Sequence, residues 1–153
     1  MIGNFGYVVK GKLAGCAHPA AGGHLRRGLR QLKEQHGIDA VVSLTESAPS
    51  SRLFEEFSIA FHHEPVADFS PPTFAQMQRI EHFVIEQVQH DRAVAVHCTA
   101  GQGRTGTVLA CLLLVLGRAS DAQEAIEQVR HSRPGSIETP EQEAFIEAWS
   151  RKR

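Results

Sequence analysis

The sequence has few cysteines, no long apolar run and no leader-like segment. Its three cysteines, Cys16, Cys98 and Cys111, are too few and too irregularly spaced for a disulfide framework or a CxxC site, which favours a reducing compartment. The longest apolar run, residues 108–116, is about half the length of a membrane span. Residues 1–12 lack the charged head and apolar centre of a secretory signal. We therefore expect a soluble, cytoplasmic protein without a membrane partner.

The chain also lacks an excess of charge of either sign. Sixteen Lys and Arg against seventeen Asp and Glu give a net charge of −1, so wholesale binding of nucleic acid is not expected. Residues 1–33 nevertheless carry six basic residues and no acid, which fits either a solvated surface or one wall of an anion site. No repeat or Gly/Ser/Pro-rich linker divides the chain, and residues 1–153 are predicted to form one monomeric domain.

Strand-like runs alternate with runs at helical spacing. The predicted strands are a hairpin over residues 7–14 and single strands at 40–44, 58–62 and 93–97. The predicted helices cover residues 23–36, 73–90, 104–116 and 120–131, the last opening on a capping-box pattern from Ser120, and a final helix is capped by Thr139. This order predicts an α/β fold with a central, mostly parallel sheet flanked by helices on both faces.

The segment 97–106 carries the strongest chemical signal. A buried strand ends, five residues separate Cys98 from Arg104, and an apolar helix begins. A loop of this length can turn its amides inward around an anion, and the helix N-terminus adds partial positive charge. Gly101 and Gly103 permit the curl, and Arg104 offers a planar pair of donors. We expect a phosphate-sized anion to contact Thr99, Ala100, Gly101, Gln102, Gly103 and Arg104.

The same positive field acts on the Cys98 thiol. A thiol beside a helix N-terminus and a cation ionises readily to the nucleophilic thiolate. The Thr105 hydroxyl can donate to that sulfur and ease its departure in a second step, and this chemistry needs no metal. His97, which strand alternation turns away from the anion, is predicted to hydrogen-bond to the loop backbone and tune the thiol.

Two other interpretations fit part of this segment. Its three glycines match the GxGxxG dinucleotide fingerprint, but residues 120–131 form a helical pattern where that fold needs a strand ending in an acid. A buried structural cysteine in a tight turn would explain Cys98 but gives Arg104 no role. Cys111, in the middle of the apolar helix, is predicted to be a core residue.

The pattern His97-Cys98-x5-Arg104-Thr105 resembles the HCx5R[ST] loop of the cysteine-dependent protein tyrosine phosphatases. The wider chain is similar to the small atypical dual-specificity phosphatases over nearly its whole length. The matching stretches are residues 4–5, 11–15, 43–46, 68–72, 96–111, 133–139 and 141–143. The resemblance implies the family fold, a cysteinyl-phosphate intermediate, a phosphoprotein or phosphopeptide substrate and no cofactor.

Expelling an alkoxide or phenolate requires a proton donor on the side opposite the nucleophile. Asp68 lies in a loop with three prolines, 30 residues before Cys98, and matches the family's general-acid position. Glu64, four residues earlier, is the alternative donor. Asp68 could instead cap the helix that begins near Thr73.

Gln142 and Glu138 fall where many tyrosine phosphatases carry glutamines that position the hydrolytic water. Gln142 would also complete a capping box with Thr139, so either role is open. Glu138 stands in place of the family's Gln and could hold water or neighbouring backbone.

The sequence therefore predicts a metal-independent phosphomonoester hydrolase that acts on phosphotyrosine, and also on phosphoserine and phosphothreonine. Thr99 and Gln102 stand where phosphoinositide phosphatases place lysines, which lowers the case for a lipid substrate without removing it. The basic N-terminal segment leaves an RNA 5′-triphosphatase open. A non-catalytic phosphate-binding module is the alternative from a different class, and the presence of nucleophile, arginine, hydroxyl and acid argues against it.

Overall fold

The computed structural model describes residues 1–152, which form five strands and six helices. The strands are β1 (Gly6–Val9), β2 (Leu13–Cys16), β3 (Ala40–Ser43), β4 (Ala60–His63) and β5 (Val94–His97). The helices are α1 (Leu25–Glu34), α2 (Ser51–Glu56), α3 (Phe74–Gln89), α4 (Gly103–Val115), α5 (Ala122–Ser132) and α6 (Pro140–Lys152). The predicted α/β class is confirmed.

The strands form one sheet in the order β1-β2-β5-β3-β4. Only β1 runs antiparallel, as the first arm of the predicted hairpin, and the other four strands are parallel. His97 at the end of β5 is in register with Cys16 of β2 and Ser43 of β3, so these strands end at the same edge. The loops after β2, β3, β4 and β5 leave that edge, which is where open parallel sheets bind ligands.

Side-chain alternation along the strands divides the core into two layers. Val94 and Val96 of β5 face the layer that contains buried residues of α3, α4, α5 and α6. Ala93 and Ala95 face the opposite layer, with buried residues of α1 and α2. The predicted placement of helices on both faces is therefore confirmed.

Helix α4 is the buried centre of the larger layer. Every residue from Gly103 to Leu113 is buried, and Cys111 is a core residue, as predicted. Burial of a leucine side chain such as Leu109 or Leu112 contributes about 2–3 kcal/mol. Such packing fixes the start of α4 relative to the end of β5. None of the helices within residues 1–152 combines the length and apolarity needed to cross a bilayer.

The region around β4 differs from the sequence prediction. Helix α2 was not predicted, because six residues are too few to show a helical period. The strand begins at Ala60 rather than at Ser58. Ser58 adopts a left-handed conformation with φ of 55°, and its amide donates to the Glu55 carbonyl at 3.0 Å. Ser58 therefore belongs to the turn that ends α2.

The predicted cap of α5 is displaced by one residue. The Asp121 carboxylate accepts from the Glu124 amide at 2.8 Å, so Asp121 is the N-cap. The capping box from Ser120 is wrong, because the Ser120 hydroxyl donates to the Glu124 side chain instead. Asp121 is favoured at this position, since its negative charge also interacts well with the helix N-terminus.

Candidate active site

The loop between β5 and α4, residues 98–102, has the curled backbone that its glycine suggested. Gly101 has φ of +77°, a region that side chains other than glycine rarely adopt. A Cβ atom added there would lie 2.5 Å from the backbone carbonyl group of Cys16. The β2 backbone therefore packs directly against the loop, and only glycine fits.

The peptide groups of this loop have a consistent polarity. Each carbonyl from residue 99 to 102 accepts a hydrogen bond from outside the loop or from α4. The donors are the amides of His18, Gly106 and Ile137 and the side chains of Asn4 and Arg133. Within residues 1–152 the amides of residues 99–102 have no acceptor. A row of unpaired amides in a loop that leads into a helix N-terminus is an anion-binding arrangement.

Cys98 opens the loop and is only 3% exposed. The Thr105 hydroxyl, in the first turn of α4, donates to the Cys98 sulfur at 3.1 Å. Thr105 is itself fully buried, so the hydroxyl has a fixed position. The structure therefore brings together the sulfur and the hydroxyl that the sequence paired.

Arg104 lies inside the site and is 4% exposed. Its Nη1 donates to the Val66 carbonyl at 2.9 Å, and its Nη2 donates to the Thr99 hydroxyl at 3.1 Å. Its Nε has no acceptor within residues 1–152. A buried guanidinium donor without a partner costs free energy, and an oxyanion at this position would satisfy it.

Asp68 reaches the same guanidinium from the opposite loop. Its Oδ1 lies 3.5 Å from Arg104 Nη2, and its side chain is 55% exposed. Helix α3 is capped by Thr73, whose hydroxyl accepts from the Gln76 amide at 3.1 Å while the Gln76 side chain accepts from the Thr73 amide. The alternative role of Asp68 as a helix cap is therefore wrong.

Glu64 is placed differently. Its buried carboxylate accepts two hydrogen bonds from Arg79, at 2.8 and 3.0 Å, and contacts His62 Nε2 at 2.8 Å. Burial opposes ionisation of this carboxyl, but the hydrogen bonds and charges of Arg79 and His62 outweigh it and lower the pKa of Glu64. An ionised, fully bonded carboxylate is poorly suited to donate a proton.

Gln142 and Glu138 border the start of α4. Gln142 Oε1 accepts from the amides of Thr139 and Glu138, at 3.1 and 2.8 Å, and Thr139 Oγ1 accepts from the Gln142 amide at 3.1 Å. The predicted capping box is therefore present. A Cβ atom added at Gly103 would collide with the Glu138 carboxylate and lie 3.1 Å from Gln142 Nε2. Both side chains are thus close to the anion-binding loop.

His97 is fully buried behind the loop. Burial lowers its pKa to about 3, so the ring is neutral at physiological pH. Its Nδ1 lies 3.2 Å from the Cys98 carbonyl, which is the backbone contact predicted for it. Within residues 1–152 no group of three or more His, Cys, Asp or Glu side chains is placed to hold a metal ion.

Sequence reasoning missed the residues that hold the loop from behind. Arg133 follows α5 and donates to the carbonyls of Asn4, Gly15 and Gly101. Asn4 donates to the carbonyls of Ala100 and Gly101. Both residues occur in stretches that resemble the phosphatase family, but nothing in the sequence shows that positions 129 residues apart meet.

Comparisons with known proteins agree with this geometry. The family model described as "Swiss Army Knife protein, DSP-PTPase phosphatase domain" matches residues 3–146. The fold and the site define a cysteine-based phosphatase. The chain belongs to the dual-specificity branch of the protein tyrosine phosphatase superfamily.

Relatives are found among curated proteins and solved structures. The chain is 27% identical over 148 residues to Cyclin-dependent kinase inhibitor 3 of Rattus norvegicus, covering 92% of this chain and 70% of that protein. It is 33% identical over 116 residues to Dual specificity protein phosphatase CDC14C of Homo sapiens, covering 76% of this chain but only 25% of that protein. The crystal structure of Tk-PTP in the active form superposes with a TM-score of 0.84 at 29% identity, covering both chains fully. PTPMT1, at 20% identity and a TM-score of 0.83 over 97% of this chain and 94% of that one, shares the fold.

Proposed function

We propose that residues 1–153 act as one phosphatase domain that hydrolyses phosphotyrosine, and also phosphoserine and phosphothreonine, through a cysteinyl-phosphate on Cys98. The observation that carries this proposal is the set of groups in segment 98–105, which comprises the loop and the first turn of α4. Amides without acceptors, a buried Arg104 Nε without an acceptor and a sulfur held by the Thr105 hydroxyl all occur there. These groups match what binding and cleaving a phosphate monoester requires.

In the first step the Cys98 sulfur attacks phosphorus. A P–S bond forms and the bond from phosphorus to the ester oxygen breaks. The amides of residues 99–103 and the Arg104 guanidinium stabilise the charge on the equatorial oxygens. Asp68, which enters protonated, gives its proton to the departing oxygen, so a neutral alcohol or phenol leaves.

In the second step water attacks the phosphorus of the cysteinyl-phosphate. The P–S bond breaks, inorganic phosphate forms, and the ionised Asp68 carboxylate takes the proton from water. The Thr105 hydroxyl stabilises the departing thiolate. Glu138 and Gln142 orient the water. Gln142 commits its Oε1 to the cap of α6, while its Nε2 lies on the loop side and makes only a long hydrogen bond, 3.5 Å, to the Ser70 carbonyl.

The position of Phe69 favours substrates with an aromatic leaving group. It follows Asp68 directly, its side chain is unusually exposed at 59%, and its φ is 65°. The Thr139 hydroxyl holds its carbonyl at 3.2 Å. An exposed ring beside the general acid offers apolar contact to the ring of phosphotyrosine, which phosphoserine cannot use.

The first experiment is hydrolysis of p-nitrophenyl phosphate in the presence of EDTA. We expect turnover by the wild type and a loss of at least about a thousandfold in kcat for Cys98→Ser, because serine is a far weaker nucleophile. Cys111→Ala is the matched control, since Cys111 is a buried cysteine of the core outside the loop. Wild-type turnover by Cys98→Ser, or dependence on a metal, would overturn the proposal.

The second experiment compares substrate classes. The wild type is given phosphotyrosine, phosphoserine and phosphothreonine peptides, a soluble phosphatidylinositol phosphate and an RNA with a 5′-triphosphate. We expect the highest kcat/KM on phosphotyrosine peptides. A preference for the inositol lipid or the RNA would select one of those alternatives. Tight binding of phosphate with no turnover of any substrate would identify a non-catalytic module.

The relatives guide the choice of protein substrates. CDC14C is by name a dual-specificity protein phosphatase and Cyclin-dependent kinase inhibitor 3 is by name a kinase inhibitor, so phosphoproteins are the first class to test here. None of the three cysteines forms a disulfide within residues 1–152, which supports a cytoplasmic location. The monomeric state stays a prediction, to be measured by sedimentation.

A further inference from the structure

Arg133 lies buried behind the anion-binding loop, where three backbone carbonyls accept its hydrogen bonds. It is 2% exposed, and its Nη1 donates to the carbonyls of Asn4 and Gly15 at 2.7 Å each, while Nη2 donates to the Gly101 carbonyl. Two glycines make room for the guanidinium. A Cβ at Gly15 would lie 2.9 Å from Arg133 Cζ, and one at Gly6 would lie 3.4 Å from Nη1. A larger residue at Gly15 would displace the arginine, whereas 3.4 Å at Gly6 is ordinary van der Waals contact.

The charge of Arg133 is not balanced by a carboxylate. Within residues 1–152 none of the ion pairs includes it. A buried cation without a counter-charge is costly. Burial lowers the pKa of Arg133, while the sulfurs of Cys16 and Cys98 act in the opposite direction. Burial raises the pKa of Cys16 to about 12, so the Cys16 thiol is neutral and cannot supply the counter-charge.

The other titratable groups around Cys98 do not replace this pairing. Arg104 is committed to the Val66 carbonyl and the Thr99 hydroxyl, and it contacts Asp68 at 3.5 Å. His97 and His18 lie on the strand and β2-loop side, and burial lowers the pKa of both rings. Arg133 is thus the charged side chain that holds the loop from behind.

Asn4 extends the same contact surface. Its Nδ2 donates to the carbonyls of Ala100 and Gly101 at 3.1 Å each, and its own carbonyl accepts from Arg133. Asn4 has φ of 50°, a conformation that asparagine tolerates better than most residues. Asn4 and Arg133 therefore form a continuous set of donors on the outer side of the loop.

We propose that Asn4 and Arg133 are positioning residues for the phosphatase reaction. They hold the carbonyls of Ala100 and Gly101 outward, so that the loop amides face the phosphate, and the buried Arg133 cation is balanced by the Cys98 thiolate. This proposal rests on the function proposed for the loop. It goes further, because it assigns the polarity of the loop to two side chains that do not touch the substrate.

The variant Asn4→Gly tests the positioning of the loop. Glycine can keep the left-handed backbone conformation, and it removes the Asn4 Nδ2 group that donates to the carbonyls of Ala100 and Gly101. We expect the inhibition constants of orthovanadate and inorganic phosphate to rise about tenfold, with little change in Tm, because charged oxyanions depend on well-aligned amides. Asp91→Gly, at another residue with positive φ of 57° after α3, is the matched control. Inhibition constants for Asn4→Gly within about twofold of wild type would overturn the role of Asn4.

The variants Arg133→Met and Arg133→Lys test the charge. The readout is the rate at which iodoacetamide alkylates Cys98 as a function of pH, measured by peptide mass spectrometry on the whole protein. We expect Arg133→Met to raise the pH of half-maximal reaction by about one unit, and Arg133→Lys to raise it less, because lysine keeps the cation. Arg118→Met, at an exposed arginine, is the control.

The outcomes separate charge from structural support. A merely structural role would lower Tm without moving the pH of half-maximal alkylation, and that result would overturn the proposed charge balance. If Arg133→Met does not fold, the test uses the oxyanion inhibition constants of Arg133→Lys and Asn4→Gly. Both variants should have higher inhibition constants than wild type. Oxyanion affinity equal to wild type in both would then overturn the proposal.

Failure of the proposed function is distinguishable from failure of this inference. If Cys98 is not the nucleophile, Cys98→Ser keeps its turnover, whatever the Asn4 and Arg133 variants do. If the loop works as proposed but is not positioned by these residues, the wild type is active, Cys98→Ser is inactive, and Asn4→Gly behaves like wild type.

Discussion

The Thr105 hydroxyl donates a hydrogen bond to the Cys98 sulfur at 3.1 Å, from the first turn of the helix whose N-terminus begins at the anion-binding loop. This contact joins the nucleophile to α4 through two buried side chains. A hydrogen-bond donor at the sulfur stabilises the free thiolate more than the cysteinyl-phosphate, because negative charge returns to the sulfur only when the P–S bond breaks. The contact should therefore matter most in the second step.

We expect Thr105→Ala to slow hydrolysis of the intermediate. The steady-state kcat should fall by about tenfold or more, which corresponds to loss of one hydrogen bond to a charged group. Stopped-flow measurement with p-nitrophenyl phosphate should show a burst of nitrophenolate. Thr105→Ser keeps the hydroxyl and should behave like wild type. Absence of a burst in Thr105→Ala would place the effect of Thr105 elsewhere.

Asp68→Asn tests the general acid. The side chain is exposed, so the isosteric change should leave the fold intact. We expect kcat for phenyl phosphate to fall by about a hundredfold or more, and kcat for p-nitrophenyl phosphate to fall less, because a good leaving group needs less protonation. We also expect a bell-shaped pH–rate profile for wild type, because the reaction needs an ionised nucleophile and a protonated acid, and Asp68→Asn should abolish its decline at alkaline pH.

Glu64→Gln is the comparison for Asp68→Asn. Because both carboxylate oxygens accept from Arg79, a neutral amide loses one of these hydrogen bonds and should lower Tm, while the dependence of kcat on the leaving group should stay that of wild type. Equal slowing of both esters by Asp68→Asn, together with selective slowing by Glu64→Gln, would move the acid role to Glu64.

Gly101→Ala tests the backbone of the loop. The new Cβ would lie 2.5 Å from the Cys16 carbonyl, and the alanine would also have to adopt φ of +77°. Gly11→Ala is the matched control, because Gly11 has φ of +73° but nothing within 4 Å of an added Cβ. Both should lose about 1 kcal/mol or more of unfolding free energy from backbone strain. Only Gly101→Ala should lose turnover and oxyanion binding, and equal activity of the two variants would contradict the close packing described.

His97 makes stability depend on pH. Its folded-state pKa of about 3 is below the ordinary value of 6.5, so the unfolded chain binds a proton that the folded protein does not. The contribution of His97 to the free energy of unfolding is therefore fully present above pH 6.5 and is lost as pH falls toward 3. The limiting slope is about 1.4 kcal/mol per pH unit. Urea unfolding of wild type and His97→Asn across this range should show the steeper loss in wild type. Parallel curves would mean that His97 does not titrate in this way.

The chemistry of the anion-binding loop could be predicted from the sequence because the residues that carry it are close together in the chain. The end of β5, the glycines and the first turn of α4, which place Cys98, Arg104 and Thr105, lie within residues 97–106. Caps such as Thr139 with Gln142 were predicted for the same reason, since their hydrogen bonds span three residues. Local patterns settle such positions without knowledge of the rest of the fold.

Other features depended on contacts across the fold. Asn4 and Arg133 meet only because β1, β2 and α5 pack together, and no periodicity in the sequence encodes that meeting. The start of β4 was misplaced because Ser58 takes a left-handed turn after a helix too short to recognise. The choice between Asp68 and Glu64 also needed the structure, since only the burial and partners of Glu64 distinguish two nearby acids.

The central claim, that phosphate is transferred to Cys98, is tested most directly by trapping the intermediate. Thr105→Ala is mixed with p-nitrophenyl phosphate, quenched in acid within the burst, digested and analysed by mass spectrometry. We predict one phosphoryl group on the Cys98 sulfur, absent in the double variant that also carries Cys98→Ser. A phosphoryl group on another side chain, or rapid turnover with none on Cys98, would contradict the account.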